Sequence, residues 1–151
     1  VDANFKETTD SDPAALWVID TVGAGRYVRQ RVTAHGFPDT LRAIQELVAA
    51  WSPDGVVIEN KANGAAIIST LRQKVSGVVE WEPGQDSKPA RAANMQPSVE
   101  AGDWLLPDGA DWVDEVVGQF ATFPRGAHDD DVDAGSQAHA YLNQPPFFFI
   151  G

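Results

Sequence analysis

Apolar and polar positions along this chain change their period several times, and each change marks an element. Residues 14–20, Ala-Ala-Leu-Trp-Val-Ile-Asp, form a nearly continuous apolar run that reads as a strand. A turn rich in glycine, Thr21-Val22-Gly23-Ala24-Gly25, follows, and residues 26–33 read as a second strand, so the pair predicts a β-hairpin. The Gly23-x-Gly25 pair does not make a dinucleotide-binding loop, because Val28 stands at the third glycine position and no helix is expected after it.

Helical spacing begins after Pro38-Asp39-Thr40, with Leu41, Ile44, Leu47, Val48 and Trp51 on one face, and Ser52-Pro53-Asp54-Gly55 stops it. Residues 55–59, ending Val56-Val57-Ile58-Glu59, are short and almost wholly apolar, which predicts a central strand buried on both faces. A tight connection, Asn60-Lys61-Ala62-Asn63-Gly64, leads to a helix over residues 65–74 with Ile67, Ile68 and Leu71 inward. Val78-Val79-Glu80-Trp81 reads as the next strand, and this strand–helix–strand passage predicts an α/β layered fold with right-handed crossovers.

Beyond Pro83-Gly84 the chain turns polar. Ser87 can cap a helix with Pro89 in its first turn, ending at Met95 before Pro97, and Lys88 and Arg91 share one of its faces. A short strand, Trp104-Leu105-Leu106-Pro107, and a helix over residues 112–120 follow. The last helix is expected from Asp129 or Asp130 to about Leu142, where Asn143-Gln144-Pro145-Pro146 ends it. The apolar Phe147-Phe148-Phe149-Ile150 suits docking on the core or on a partner, and the pattern leaves that choice open.

Composition narrows the class. A chain of 151 residues with 43% hydrophobic content fits one globular domain with a full core. No apolar run approaches the roughly 20 residues of a membrane span, and the polar opening Val1-Asp2-Ala3-Asn4 predicts no signal peptide. The absence of cysteine excludes disulfides, thiolate zinc sites and a cysteine nucleophile. The net charge of −11 would repel nucleic acid, but residues 101–151 hold nine acids against one base, so the excess is local. Bound divalent cations would offset part of it, and the domain alone is expected to bind DNA weakly.

That acidic excess is where the chemistry concentrates. His128-Asp129-Asp130-Asp131-Val132-Asp133 opens the last helix. Acids favour helix N-termini, and capping explains one or two of them. Four among five residues exceed that need and repel one another without a cation. On a helix Asp129 and Asp133 share a face, and Asp130 is turned about 100° away from Asp129. A calcium loop fails on spacing, since Ala134 and Ala140 stand at its sixth and twelfth positions counted from Asp129. Hard oxygen ligands still suit Mg²⁺ or Mn²⁺. Glu59 ends an expected buried strand, and open α/β sheets gather ligands at that edge, although an ordinary solvated strand-end acid fits as well. Asp2 has almost no strand before it, so its local pattern alone favours a frayed terminal acid. Gathered by the fold, these carboxylates would suit two divalent ions roughly 3.5–4 Å apart, a device for hydrolysing phosphodiesters. His128 fits a general base, a metal ligand or a helix cap. No Gly-x-x-x-x-Gly-Lys-Ser/Thr loop is present, so ATP hydrolysis is not expected of these residues.

In order along the chain stand Asp2-Ala-Asn-Phe5-Lys6 with Ser11-Asp12, Glu59-Asn-Lys61-Ala-Asn-Gly64, Ser87-Lys88-x-x-Arg91-Ala92, Glu100-Ala-Gly-x-Trp-Leu-Leu-Pro107, and Phe123-Pro-x-Gly-x-His128-Asp129-Asp130-x-Val-Asp133-Ala134. This set resembles the C-terminal nuclease domain of the phage terminase large subunit, from residue 2 to about 142. The resemblance implies an RNase H-like fold, a mixed central β-sheet flanked by α-helices, over residues 1–143, with residues 144–151 as a C-terminal tail. It implies a metal-dependent endonuclease that cuts concatemeric double-stranded DNA during genome packaging in the cytoplasm of an infected host. Carried over, Asp2, Glu59, Asp129 and Asp130 hold two Mg²⁺ or Mn²⁺ ions, with Asp133 as an additional ligand or the partner of one. Lys61, Lys88 and Arg91 become phosphate contacts, with solvated surface charge as the ordinary alternative for each. The implied partners are double-stranded DNA, the ATPase motor domain of the same subunit, the small terminase subunit and the portal, with no membrane.

Two departures accompany the resemblance. The motor is absent from these residues, and the strand expected to carry Asp2 is clipped, so low isolated activity is expected. Two other readings remain. One keeps the fold as a junction resolvase or ribonuclease H. The other is a non-catalytic acidic module that binds divalent cations or docks a partner.

Overall fold

The computed structural model describes residues 13–60 and 64–144. Asp2, Lys61, and residues 145–151 of the tail lie outside these described residues. The expected hairpin forms from β1 (Ala14–Val22) and β2 (Gly25–Ala34), antiparallel and joined by the two-residue turn Gly23-Ala24. Gly23 has φ of 58°, the left-handed conformation that such tight hairpin turns require and that glycine adopts without strain. The register shifts between Val18 and Ile19: Val18 pairs with Gln30 and Ile19 with Val28, so Arg29 is the extra residue of a β-bulge. On the far side of the bulge from the turn, Trp17 and Arg31 are direct cross-strand partners. The short β5 (Trp104–Leu105) pairs parallel with β2 at Arg26 and Tyr27, making a mixed three-stranded sheet.

The strand–helix–strand passage is β3 (Val56–Glu59), α2 (Gly64–Arg72) and β4 (Val78–Trp81), with the two strands parallel as a crossover helix dictates. The mixed sheet and its helices agree with the α/β expectation. The placement of β3 differs in detail. Among the described residues β3 has β4 as its one strand neighbour, and the five strands divide into two sheets. Residues of both β1 and β3 line a cavity of about 470 Å³, among them Leu16, Val18 and Val56, with Ile44 and Ala134. The apolar run correctly marked burial, since Ile58 and Glu59 are 0% and 2% exposed. Apolarity alone does not fix which strand stands alongside.

One core nonetheless serves both sheets. Leu16 and Ala34 of the hairpin, Ile58 of β3, and Ile67, Ile68 and Leu71 of α2 meet Ile44 of α1 (Gly36–Trp51). Burying each of these larger side chains contributes about 1.5–3 kcal/mol. The helix α3 (Lys88–Glu100) begins as expected, with Ser87 accepting a hydrogen bond from the Ala90 amide. It does not stop at Met95. The helix passes through Pro97, which sacrifices one backbone bond near the end, and closes where Gly102 takes φ of 79° and its amide donates to the Val99 carbonyl.

The remaining helices are α4 (Val113–Thr122) and α5 (Asp130–Leu142), and α5 packs on β1, α3 and α4. Trp17 of β1 lies 6.3 Å, centroid to centroid, from both the Trp104 and Phe120 rings. A Cβ at position 135 would stand 2.9 Å from Phe120 and 3.2 Å from Trp17. Gly135 therefore lets α5 approach this aromatic cluster closely. None of the described helices is long and apolar enough to cross a membrane.

Candidate functional site

Glu59 is the last residue of β3. Successive strand side chains point to opposite faces, so Ile58 enters the apolar core while Glu59 leaves it on the other side, still only 2% exposed. The chain then returns as α2, and this return is tight. A Cβ on Gly64 would collide with the Glu59 carbonyl oxygen, a backbone atom that no rotamer change moves. The Glu-x-x-x-x-Gly spacing thus has a steric reason. Gly64→Ala is expected to cost about 1–3 kcal/mol, read as a fall in the thermal midpoint, because β3 and α2 must separate at the point where Glu59 is held. An unchanged midpoint would refute the close approach.

The acidic run lies where the sequence placed it, with Asp129 at the N-cap position of α5 and Asp130, Asp131 and Asp133 in its first turn. The helix dipole favours acids there, but Asp129 makes no side-chain cap bond. Capping comes from outside: the Gln119 side chain of α4 accepts the Asp131 amide at 2.9 Å. Asp129 and Asp133 share a face, and both meet Lys88 of α3, Asp129 at 2.9 Å and Asp133 in a shorter contact. Arg91, one turn further along α3, donates to Asp133 at 3.4 Å and to the Asp86 carbonyl at 3.1 Å. Burial works to lower the Lys88 pKa, but hydrogen bonds and charge from Asp133 and Asp129 outweigh it and hold the ammonium above its ordinary value.

Asp130 and His128 point elsewhere. They line a cavity of about 360 Å³ with Arg31, His35, Glu115 and Gln119. Capping, one of the three roles open to His128 alongside general base and metal ligand, is not its role here, because the N-cap is Asp129.

The structure therefore brings Lys88, Arg91, Asp129 and Asp133 into one ion-paired group, and sets Asp130 with His128 at a cavity. Glu59 stands at the end of β3. Lys88 and Arg91 were expected at DNA phosphates or in solvent; here both engage the acidic run, Lys88 a third exposed and Arg91 buried. Among the described residues no three His, Asp or Glu side chains gather closely enough to hold one metal ion. Asp2, one of the expected ligands, lies outside them. The donors that are present, carboxylates, fit the hard-oxygen chemistry of Mg²⁺ or Mn²⁺.

Sequence reasoning missed a second group. Asp131 is 0% exposed and takes the Trp17 indole N–H at 2.8 Å. The Arg31 guanidinium grips the same carboxylate, Nε to Oδ1 at 3.2 Å and a terminal nitrogen to Oδ2 at 2.8 Å. Its other edge holds Glu115 of α4 at 2.7 and 3.0 Å. Burial works to lower the Arg31 pKa, but the hydrogen bonds and charges of Glu115 and Asp131 raise it overall. The one available signal was the placement of Trp17 and Arg31 at matching hairpin positions, which becomes visible only with the bulge.

Comparison with curated proteins finds no match to the chain. A family model does match, described as the terminase RNaseH-like domain and covering residues 1–142. That span takes in both sheets, all five described helices, Glu59 and the acidic start of α5, and the chain belongs to the terminase RNaseH-like domain family.

Proposed function

We propose that this domain is a metal-dependent endonuclease that cuts double-stranded DNA during viral genome packaging. The carrying observation is the acidic start of α5: Asp129 and Asp133 share one helix face, where Lys88 pairs with both and Arg91 with Asp133. With Glu59, Asp130 and Asp2 they supply the carboxylates for two Mg²⁺ or Mn²⁺ ions. When bound, such ions supply an activated water and neutralise charge on the phosphate being cleaved.

The chain's own residues prepare the site. Lys88 and Arg91 relieve repulsion among the acids in the absence of metal. Lys88, with a third of its side chain exposed, would meet a DNA phosphate if Asp129 held a metal. Arg91 stays with Asp133 and orients it. Phosphate contacts of this kind position DNA without reading its sequence. The charge of −11 keeps intrinsic DNA affinity low. The domain thus works beside a partner that supplies DNA: the ATPase motor of the same subunit, with the small subunit and portal, in the host cytoplasm.

The test is supercoiled plasmid incubated with the domain and Mn²⁺, Mg²⁺ or EDTA. Nicking and linearisation that require metal and vanish in Asp129→Ala/Asp130→Ala are expected. The ion pairs of Lys88 and Arg91 favour one other reading, an acidic module that binds cations or a partner without chemistry. Saturable Mn²⁺ binding with intact plasmid, also in a chain extended upstream of Val1, would select that reading and discard the nuclease.

A further inference from the structure

The first turn of α5 is held from two sides, by α3 and by the hairpin. Asp129 and Asp133 face α3. Asp131, two residues on from Asp129 and so about 200° round the helix, faces the hairpin. There it is fully buried between Trp17 of β1 and Arg31 of β2, which are direct cross-strand partners. Three hydrogen bonds from two rigid, planar donor groups reach its two oxygens, at 2.8, 3.2 and 2.8 Å. Its own backbone amide is taken by Gln119 of α4. A helix gripped at one residue by two planar donors and a backbone cap has little freedom to rotate about its axis. A bidentate guanidinium adds geometric definition beyond its charge.

We propose that Asp131, clamped by Trp17 and Arg31, is a positioning residue that fixes the rotation of the α5 first turn and thereby aims Asp129 and Asp133, which share one face, for metal binding. This rests on the metal-dependent reading above. Asp131 itself does not touch metal or substrate; it acts through its neighbours on the same turn. Outer partners that orient metal ligands are worth about 10–100-fold in metal affinity.

The experiment compares the wild-type chain with Asp131→Asn, which keeps the shape but loses the charge Arg31 pairs with, and Asp131→Glu, which keeps the charge but lengthens the arm. Arg31→Lys, which loses the planar fork, stands in if either fails to fold. Ile44→Val, in the core cluster, controls for lost stability alone. Mn²⁺ affinity is measured by calorimetry well below each thermal midpoint, and plasmid nicking is measured alongside. At least about tenfold weaker Mn²⁺ binding is expected in the Asp131 variants, with wild-type affinity in Ile44→Val. Wild-type affinity in folded Asp131 variants, whatever their midpoints, would overturn the positioning role and leave the nuclease reading standing. No Mn²⁺ binding by the wild-type chain would overturn the metal reading and this proposal together.

Discussion

Glu59→Gln is expected to lower metal-dependent plasmid nicking by at least roughly a thousandfold while leaving the fold intact. Removing a residue that merely orients a ligand already costs about 10–100-fold in metal affinity, and losing one transition-state contact costs about 10²–10³ in rate. A carboxylate that holds metal at the reacting phosphate combines both losses. Glutamine keeps the size and one oxygen, so the packing of β3 against α2 at Gly64 is retained. At a side chain only 2% exposed, a substitution that keeps the volume avoids opening a cavity. Function and stability therefore separate at this residue. In metal-free buffer Glu59→Gln should still unfold in one cooperative transition, while Mn²⁺-dependent nicking disappears. Nicking within tenfold of wild type would remove Glu59 from the catalytic set.

How far the sequence reached depended on the kind of question. Spacing of Leu41, Ile44, Leu47 and Val48 placed α1 because a helix buries one stripe, and α1 does bury Ile44 against the hairpin and α2. The i, i+4 relation of Asp129 and Asp133 was equally readable, and both reach Lys88. Termination was harder. Pro97 reads as a stop, yet near a helix end it forfeits one bond, whereas Gly102 supplies the left-handed turn that closes the last carbonyls. Sheet neighbours were harder still. An apolar strand announces burial but not its partner, and among the described residues β1 and β3 belong to different sheets. The Asp131 clamp was beyond reach. Its members are separated by 114 and 100 residues in sequence. Arg29 and Arg31 alternate along β2 like an ordinary solvent face, and only the bulge at Arg29 reveals which cation turns to the protein.

Arg31→Ala should be among the most destabilising single changes in the molecule, by about 3–5 kcal/mol, because it strands a buried charge. The two carboxylates that Arg31 holds differ in what they contribute. Glu115 is 57% exposed and pairs in water, where such bridges are worth about 0–1 kcal/mol. Hydrogen bonds from Arg31 hold its carboxyl below the usual range, but solvent screens most of that benefit. Asp131 is 0% exposed, so loss of the guanidinium removes two of the three side-chain hydrogen bonds to its carboxylate and leaves the Trp17 N–H. Glu115→Gln should consequently cost under about 1 kcal/mol, while Arg31→Ala consumes a large share of the roughly 5–15 kcal/mol that holds a domain folded. Arg31→Ala/Asp131→Ala should be less damaging than the sum of its single changes, since the second substitution removes the charge that the first one stranded. Urea unfolding of the four proteins measures this coupling. Additive losses would mean that Arg31 and Asp131 stabilise α5 independently, and the start of the helix would then have to be held by α3 and Gln119 alone.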